Sequence, residues 1–387
     1  MKQLVFSDAQ YWEEFLPLTF TRPIADMRVG ILTFKERWEK LLGFDESFFV
    51  TEKYLQVKYP EPEKKESLLI VPNFLPTESV LQQIKDLQKG EALVYENELI
   101  ASYINLENFN IGQIEKCIDI TEELIVFKKP WDLFTYNDKA IRFDFDLVTK
   151  GRTSQKISET NNIRGKVEDI FIEEGADVEF AYLNTNGGPI YIGKEAEVME
   201  GVMLRGPIAI CDHAVMKMGA KVFGATTFGP YSKICGEVSN VVIFGYTSKG
   251  HDGYLGNSVL GEWCNLGADT NTSNLKNNYS AVKMWSYREK RFVETGLQFC
   301  GTVMGDHSKT AINTQLNTGT VVGVAANIFK TGFPPNLINA FTWGGANDDP
   351  KFRLDKAYET AEIMMARRKI KLTEEDKAIL KHVYHEF

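Results

Sequence analysis

Five histidines occur in the 387 residues, and their surroundings sort them by the chemistry each could do. His382 and His385 are three apart near the end of the chain. That spacing on a helix can hold a metal, but a solvated helix end explains it as well. His213, His251 and His307 lie in a glycine-rich stretch, and no two of them have the five-residue spacing of a histidine-zinc site, so metal hydration chemistry is not expected. His251 stands in Gly250-His251-Asp252-Gly253-Tyr254-Leu255-Gly256. Glycine on both sides permits close backbone approach or positive φ, and an imidazole there can line a cleft and titrate near neutral pH. A turn histidine bonded to backbone would satisfy the same residues. His307, in Gly305-Asp306-His307-Ser308, reads as a solvent-facing structural residue. Asn265, Asn271, Asn274, Asn277 and Asn278 fall within fourteen residues, each offering an amide donor and acceptor. Asparagine is common in turns, yet this density, followed by Lys283, Arg288, Lys290 and Arg291, suits the lining of a site for a polyhydroxylated, phosphate-bearing ligand.

The elements that must position these residues are announced by a period of six. Ile192, Val198, Leu204, Ile210, Met216, Val222, Phe228 and Ile234 keep that interval, with a small or β-branched residue four positions after each. Neither a helix nor a flat strand has this period. Three sixes make one coil of a triangular prism, so a left-handed parallel β-helix of hexapeptide repeats is expected. The register loosens through Val241 to Tyr246 and resumes at Leu260 and Leu266. It breaks between Asp269 and Cys300 and returns at Met304, Thr310, Leu316, Val322 and Ile328. The break predicts an excursion on one edge, near a binding face. Two helices after Phe333-Pro334-Pro335, roughly 351–368 and, capped by Thr373, 374–385, would cover the open end of the prism.

The first 150 residues hold only four of the thirty glycines and read as α/β. Strands are expected at 3–6, 48–50 and 67–71, helices at 32–42, after Thr77 and at 131–147, and a hairpin over 91–103. Strands alternating with helices favour a doubly wound sheet. The domain boundaries are expected as 1–150, 151–345 and 346–387. A net charge of −9 argues against nucleic acid or an anionic membrane as a partner. Five cysteines without a CxxC pair suit a reducing compartment, no run of eighteen apolar residues occurs, and the cytoplasm is the expected location.

The stretch from His251 through Tyr254, Asn265-Leu-Gly-Ala268-Asp-Thr270 to Asn274 resembles the acetyltransferase centre of the bifunctional uridylyltransferase/acetyltransferase family that makes UDP-N-acetylglucosamine. The resemblance implies His251 as general base, with Tyr254, Asn265 and Asn274 contacting sugar and acetyl groups. Glu237, fourteen before the histidine, matches a further substrate contact; Ser239 stands where the family has a phosphate-binding lysine. Asn313-Thr314-Gln315-Leu316 resembles a later rung of the same family, and Ala268 and Lys330 would flank acetyl-CoA. The implied reaction is direct acyl transfer, in which the base takes a proton as an amine attacks the thioester and backbone N–H groups stabilise the oxyanion. Such acyltransferases are homotrimers with sites between neighbouring prisms.

Pro17-Leu18-Thr19-Phe20-Thr21-Arg22-Pro23-Ile24 resembles the latter half of the signature of sugar-phosphate nucleotidyltransferases, with Arg22 near the place of a phosphate-holding lysine. Ser7 to Glu14 replaces that family's glycine loop, which removes the close approach of backbone amides to a triphosphate. Nucleotidyl transfer there would call for Mg²⁺, with Asp8, Asp144 and Asp146 as the substitute carboxylates. The resemblance therefore implies a transferase that N-acetylates an amino sugar phosphate and couples a sugar 1-phosphate to a nucleotide. Two alternatives stay open: nucleotidyl transfer alone with the β-helix as a trimerisation device, and a non-catalytic nucleotide-sugar-binding scaffold.

Overall fold

The computed structural model describes residues 2–63, 65–106 and 114–387. The chain opens with a six-stranded sheet in the order Ser47–Val50, Gln3–Ser7, Glu66–Ile70, Glu98–Asn105, Glu91–Tyr95, Lys116–Asp119. β1 (Gln3–Ser7) lies parallel to β2 (Ser47–Val50) and β3 (Glu66–Ile70). A short β4 (Phe74–Leu75) leaves the sheet to pair with β8 (Ile125–Val126). β5 (Glu91–Tyr95) and β6 (Glu98–Asn105) form the expected hairpin, closed by Glu96 and Asn97, both at positive φ. The hairpin makes the sheet mixed, since β6 runs antiparallel to β3 and β7 (Lys116–Asp119) parallel to β5. A purely parallel doubly wound sheet is excluded by that two-residue turn, which can only reverse the chain.

Helix α1 (Phe34–Leu42) starts at a capping box between Thr33 and Glu36 and ends at Gly43 in the left-handed region. Helix α2 (Glu78–Asp86) is capped by Thr77, as its sequence predicts. The single helix expected at 131–147 divides at Tyr136 into α3 (Asp132–Thr135) and α4 (Asn137–Thr149). Arg37 and Asp144, fully buried, pair at 2.7 Å and tie α1 to α4. Asp144 is thereby structural, and it also accepts the N–H of Ile31.

From Asn162 the chain winds into a parallel β-solenoid. Ile190 pairs with Ile208 and Ile208 with Thr226, steps of eighteen residues, which is the predicted coil. The three faces meet at corners, and the six-residue apolar positions fill one continuous core from Ile170 to Ile338. The first face is not free. Phe171, Tyr191, Ala209 and Ala225 bury against Ile141 and Phe145 of α4. Val242, Val259, Val303 and Val321 bury with Leu133 and Phe134 of α3. The Asn137 amide donates to the Ala225 carbonyl at 3.0 Å across this junction. The N-terminal domain thus lies along one side of the prism.

The excursion between Asn271–Thr272 and Thr302–Met304 is an ordered antiparallel hairpin, Lys283–Ser286 against Arg291–Glu294. It docks on the N-terminal domain through Tyr287 against Phe20 and an Arg288–Glu14 ion pair of 2.8 Å. The C-terminal helices also depart from expectation. Helix α5 (Leu354–Ala366) does not cap the open end but runs back along the second face, from Trp343 toward Lys233. Helix α6 (Glu374–Glu386), with its Thr373–Asp376 capping box, sits between solenoid and N-terminal domain. There His382 stacks on Tyr54 at 4.0 Å, and Tyr384 meets Phe341 edge-on. Among the described residues no helix is long and apolar enough to cross a membrane.

Candidate functional site

The site is built at the corner between the second and third faces. Ile234, Lys249, Leu266, Thr310 and Ile328 stack in register at the inward positions that end the second face. Two residues beyond these come His251, Ala268, Ile312 and Lys330, a column along the corner. One coil is different. Five residues separate Lys249 from Tyr254 and Leu266 from Asn271, but only three separate Ile234 from Glu237, where the third face begins again. The corner next to His251 is therefore two residues short, which leaves a step in the column on its N-terminal side.

Lys249 fills the space inside that step. It occupies a core position, only 2 % exposed, where the other coils place the uncharged Val198, Met216, Ile234, Leu266, Thr310 and Ile328. Its Nζ donates to the carbonyls of Cys235 at 3.1 Å and His251 at 2.8 Å, and burial pushes its pKa down to about 8. A buried ammonium without a carboxylate is expensive, and here it is offset by carbonyls from two successive corners. The consequence is local: the main chain of His251 is pinned while its ring stays exposed, with no hydrogen bond among the described residues. Gly253 at φ +122 completes the turn, and a Cβ there would meet the Thr270 carbonyl at 2.3 Å.

On the third face beside this corner, Glu237 and Tyr254 are register neighbours. The Tyr254 N–H donates to Asn271 Oδ1 at 2.7 Å. Asn274 Nδ2 lies 2.9 Å from the Tyr254 hydroxyl and 2.8 Å from Asn257 Oδ1. Burial raises the Tyr254 phenol, so it stays protonated and able to donate near neutral pH. Ser239, on the same side of its strand as Glu237, is only 4 % exposed because it lies against the Tyr254 side chain. Glu237, Tyr254 and Asn274 thus stand on the third face, which begins three residues after His251 at the corner. Asn265 does not join them: it stands on the second face between Ser248 and Lys309, in a groove under α5. Ala268 is in the corner column with its carbonyl accepting from Asn313, and Lys330, at the far end, pairs with Asp349.

Arg22 is placed elsewhere altogether. It is 4 % exposed, paired with Asp306 and, at 3.3 Å, with Glu262, and lies over the ring of Phe244. Thr21 reinforces the contact by donating to Asp306 at 2.6 Å. The guanidinium is thus occupied in joining the N-terminal domain to the solenoid, not presented to a phosphate. Asp8 is also committed inward: it accepts the Ile24 N–H at 2.8 Å and the Thr51 hydroxyl, and burial raises its pKa to about 7. Asp146 is exposed on α4. Among the described residues no three acidic, histidine or cysteine side chains gather as a metal site. Of the three carboxylates expected for Mg²⁺, Asp8 and Asp144 are thus bonded inward and Asp146 stands exposed on α4.

His307 is not solvent-facing. It points out of its coil but is covered by the N-terminal domain and α6, stacked on Trp263, with its pKa pushed by burial to about 3. Sequence reasoning missed Lys249, although a lysine at a core position of the repeat was a readable signal. It also missed the second-face cations Lys233 and Lys309 with Arg367 and Arg368, which are scattered along the sequence.

Comparison with known proteins bears on this arrangement. Residues 3–153 match the family model described as sugar nucleotidyl transferase. The Bifunctional protein GlmU of Methanocaldococcus jannaschii is 38% identical over 87 residues, 22% of this chain and 21% of that protein. The Bifunctional sugar-1-phosphate nucleotidylyltransferase/acetyltransferase of Sulfurisphaera tokodaii is 29% identical over 201 residues, 52% of this chain and 43% of that protein. Over these stretches the chain is similar to two-part transferases. It spans less than half the length of either relative in the matched regions. The kinship agrees with the architecture, a nucleotidyltransferase-type sheet joined to a β-solenoid.

Proposed function

We propose that this chain is a transferase whose solenoid acetylates the amine of an amino sugar phosphate, with acetyl-CoA as donor. The observation that carries the reading is the Tyr254–Asn274 contact on the third face beside an exposed His251 whose backbone is fixed by Lys249. The amine nitrogen would attack the thioester carbonyl, its proton passing to the His251 imidazole. The C–N bond forms, the C–S bond breaks, and the leaving thiolate takes up a proton. Glu237 and the Tyr254 hydroxyl supply acceptor and donor for the sugar, and the corner column from Ala268 through Ile312 to Lys330 supplies an edge for the pantetheine arm. Ile312 is 69% exposed, a surface that such an arm would cover. A general base contributes roughly 10²–10⁴-fold to such a step.

A homotrimer fits this reading. The first face is taken by the N-terminal domain, whereas the third exposes Tyr182, Met203 and Phe223 in one apolar depression that ends at Glu237. Packing between third faces would bring a second copy to the His251 corner. Nucleotidyl transfer in residues 3–153 is a second reading, favoured by the family match; with Arg22 engaged in the domain junction, it would require other phosphate contacts. The test is release of CoA from acetyl-CoA with glucosamine 1-phosphate as acceptor. Amine-dependent release supports the proposal. Its absence with every amino sugar phosphate offered, beside Mg²⁺-dependent pyrophosphate release from UTP and a sugar 1-phosphate, would favour the second reading.

A further inference from the structure

The second face carries a feature that acyl transfer at the His251 corner does not use. Lys233, Ser248, Asn265 and Lys309 stand on successive strands at one outward register position, about 4.8 Å apart per strand. The end of α5 brings Arg367 and Arg368 over them, enclosing a cavity of about 360 Å³ that Tyr246 and Trp263 also line. Four cations converge there, and among the described residues none has a carboxylate partner. Lys309 makes one bond, to the His307 carbonyl at 2.7 Å. A helix C-terminus welcomes cations, which accounts for Arg367 and Arg368 alone. It does not account for two lysines on a different element aimed at the same space. Burial lowers the pKa of Lys233, and Arg368, Arg367 and Lys217 lower it further by repulsion; burial takes Lys309 down to about 8. The groove thus holds like charges together at a cost that an anion would relieve. Asn265 and Ser248 add neutral hydrogen-bonding groups, and Thr360 and Ile363 continue the groove toward Trp343 and Phe352.

We infer that the groove between the second face and α5 is a binding site for a small phosphate-bearing molecule, gripped by Lys233, Lys309, Arg367 and Arg368 and separate from the acyl-transfer corner. Charge-assisted bonds from guanidinium forks suit phosphate oxygens, and a volume of about 360 Å³ suits a small molecule.

The test is calorimetric titration of the full chain with inorganic pyrophosphate at low and at 0.5 M salt. The wild type should bind, more weakly at high salt. Arg367→Glu combined with Arg368→Glu should weaken binding at least tenfold, and Lys309→Met should weaken it by a smaller factor. Arg367 is exposed and Arg368 half-buried, so the double variant should fold, as its thermal transition will report. His251→Ala should bind pyrophosphate as the wild type does, which keeps this inference separable from the proposed acetylation. Displacement of pyrophosphate by glucosamine 1-phosphate, UDP or CoA would show which phosphorylated class the groove accepts. No binding by the wild type, or equal binding by the double variant, would overturn the assignment.

Discussion

Two corners of the same coils have opposite fates. One carries His213, Tyr231, Tyr246, Trp263 and His307, each at positive φ, as a ladder of stacked rings. The other carries His251, Ala268, Ile312 and Lys330. The N-terminal domain and α6 cover the last rungs of the first, where Trp263 is buried and His307 is held neutral, with a pKa far too low for a base at neutral pH, while His213 at its start stays exposed. The second faces outward, is shortened by two residues at one coil, and is braced from within by Lys249. A repeat that presents equivalent positions on every coil does not by itself make a site. What lies outside each corner decides whether a histidine there packs or reacts.

The largest effect should come from removing a rung of the closed corner. Trp263→Ala should cost about 3–5 kcal/mol of stability and should move the His307 titration, followed by NMR, up from about 3 toward its ordinary value. Arg22→Ala should cost a similar or slightly smaller amount, on the order of 3–4 kcal/mol, because it leaves Asp306 buried without its partner. Denaturant unfolding would show it; a fall in pyrophosphate release at unchanged stability would instead return Arg22 to a phosphate-holding role.

At the open corner, Lys249→Met tests the brace. The folded pKa of Lys249 lies below the ordinary lysine value, so the native state favours the neutral amine. Its ionisation therefore weighs against folding below about pH 8, and that cost fades as pH rises toward 10.5. The wild type should gain on the order of 3 kcal/mol over that window from this residue, a gain that Lys249→Met should lack in melts run at both pH values. The smallest effect is expected for Asn274→Ala, which removes the partner of the Tyr254 hydroxyl. It should lower kcat/KM for CoA release about tenfold, a single hydrogen bond's worth, and leave the melting temperature near that of the wild type.

Much of this was legible in the residues. The solenoid declared itself because a three-sided coil needs an inward side chain of similar volume every sixth position, and Ile192 to Ile234 supply it. Thr77 and Thr373 marked helix starts because their hydroxyls satisfy amides that the helix leaves open. The rest depended on contacts distant in sequence. Arg22 looked like a phosphate ligand because its partner Asp306 lies 284 residues away. His307 looked exposed because a repeat position reveals which way a side chain leaves the coil, not what covers it. The course of α5 along the second face, and with it the groove around Asn265, is set by helix docking. Periodicity identified the helix without locating its surface.

Everything proposed for the open corner turns on His251 acting as the base of an acyl transfer. The direct measurement is steady-state CoA release from acetyl-CoA and glucosamine 1-phosphate by His251→Ala beside the wild type, with and without added imidazole. If the imidazole takes the amine's proton, kcat should fall roughly 10²–10⁴-fold and be partly restored by imidazole, with stability unchanged. Turnover by His251→Ala equal to that of the wild type would contradict it.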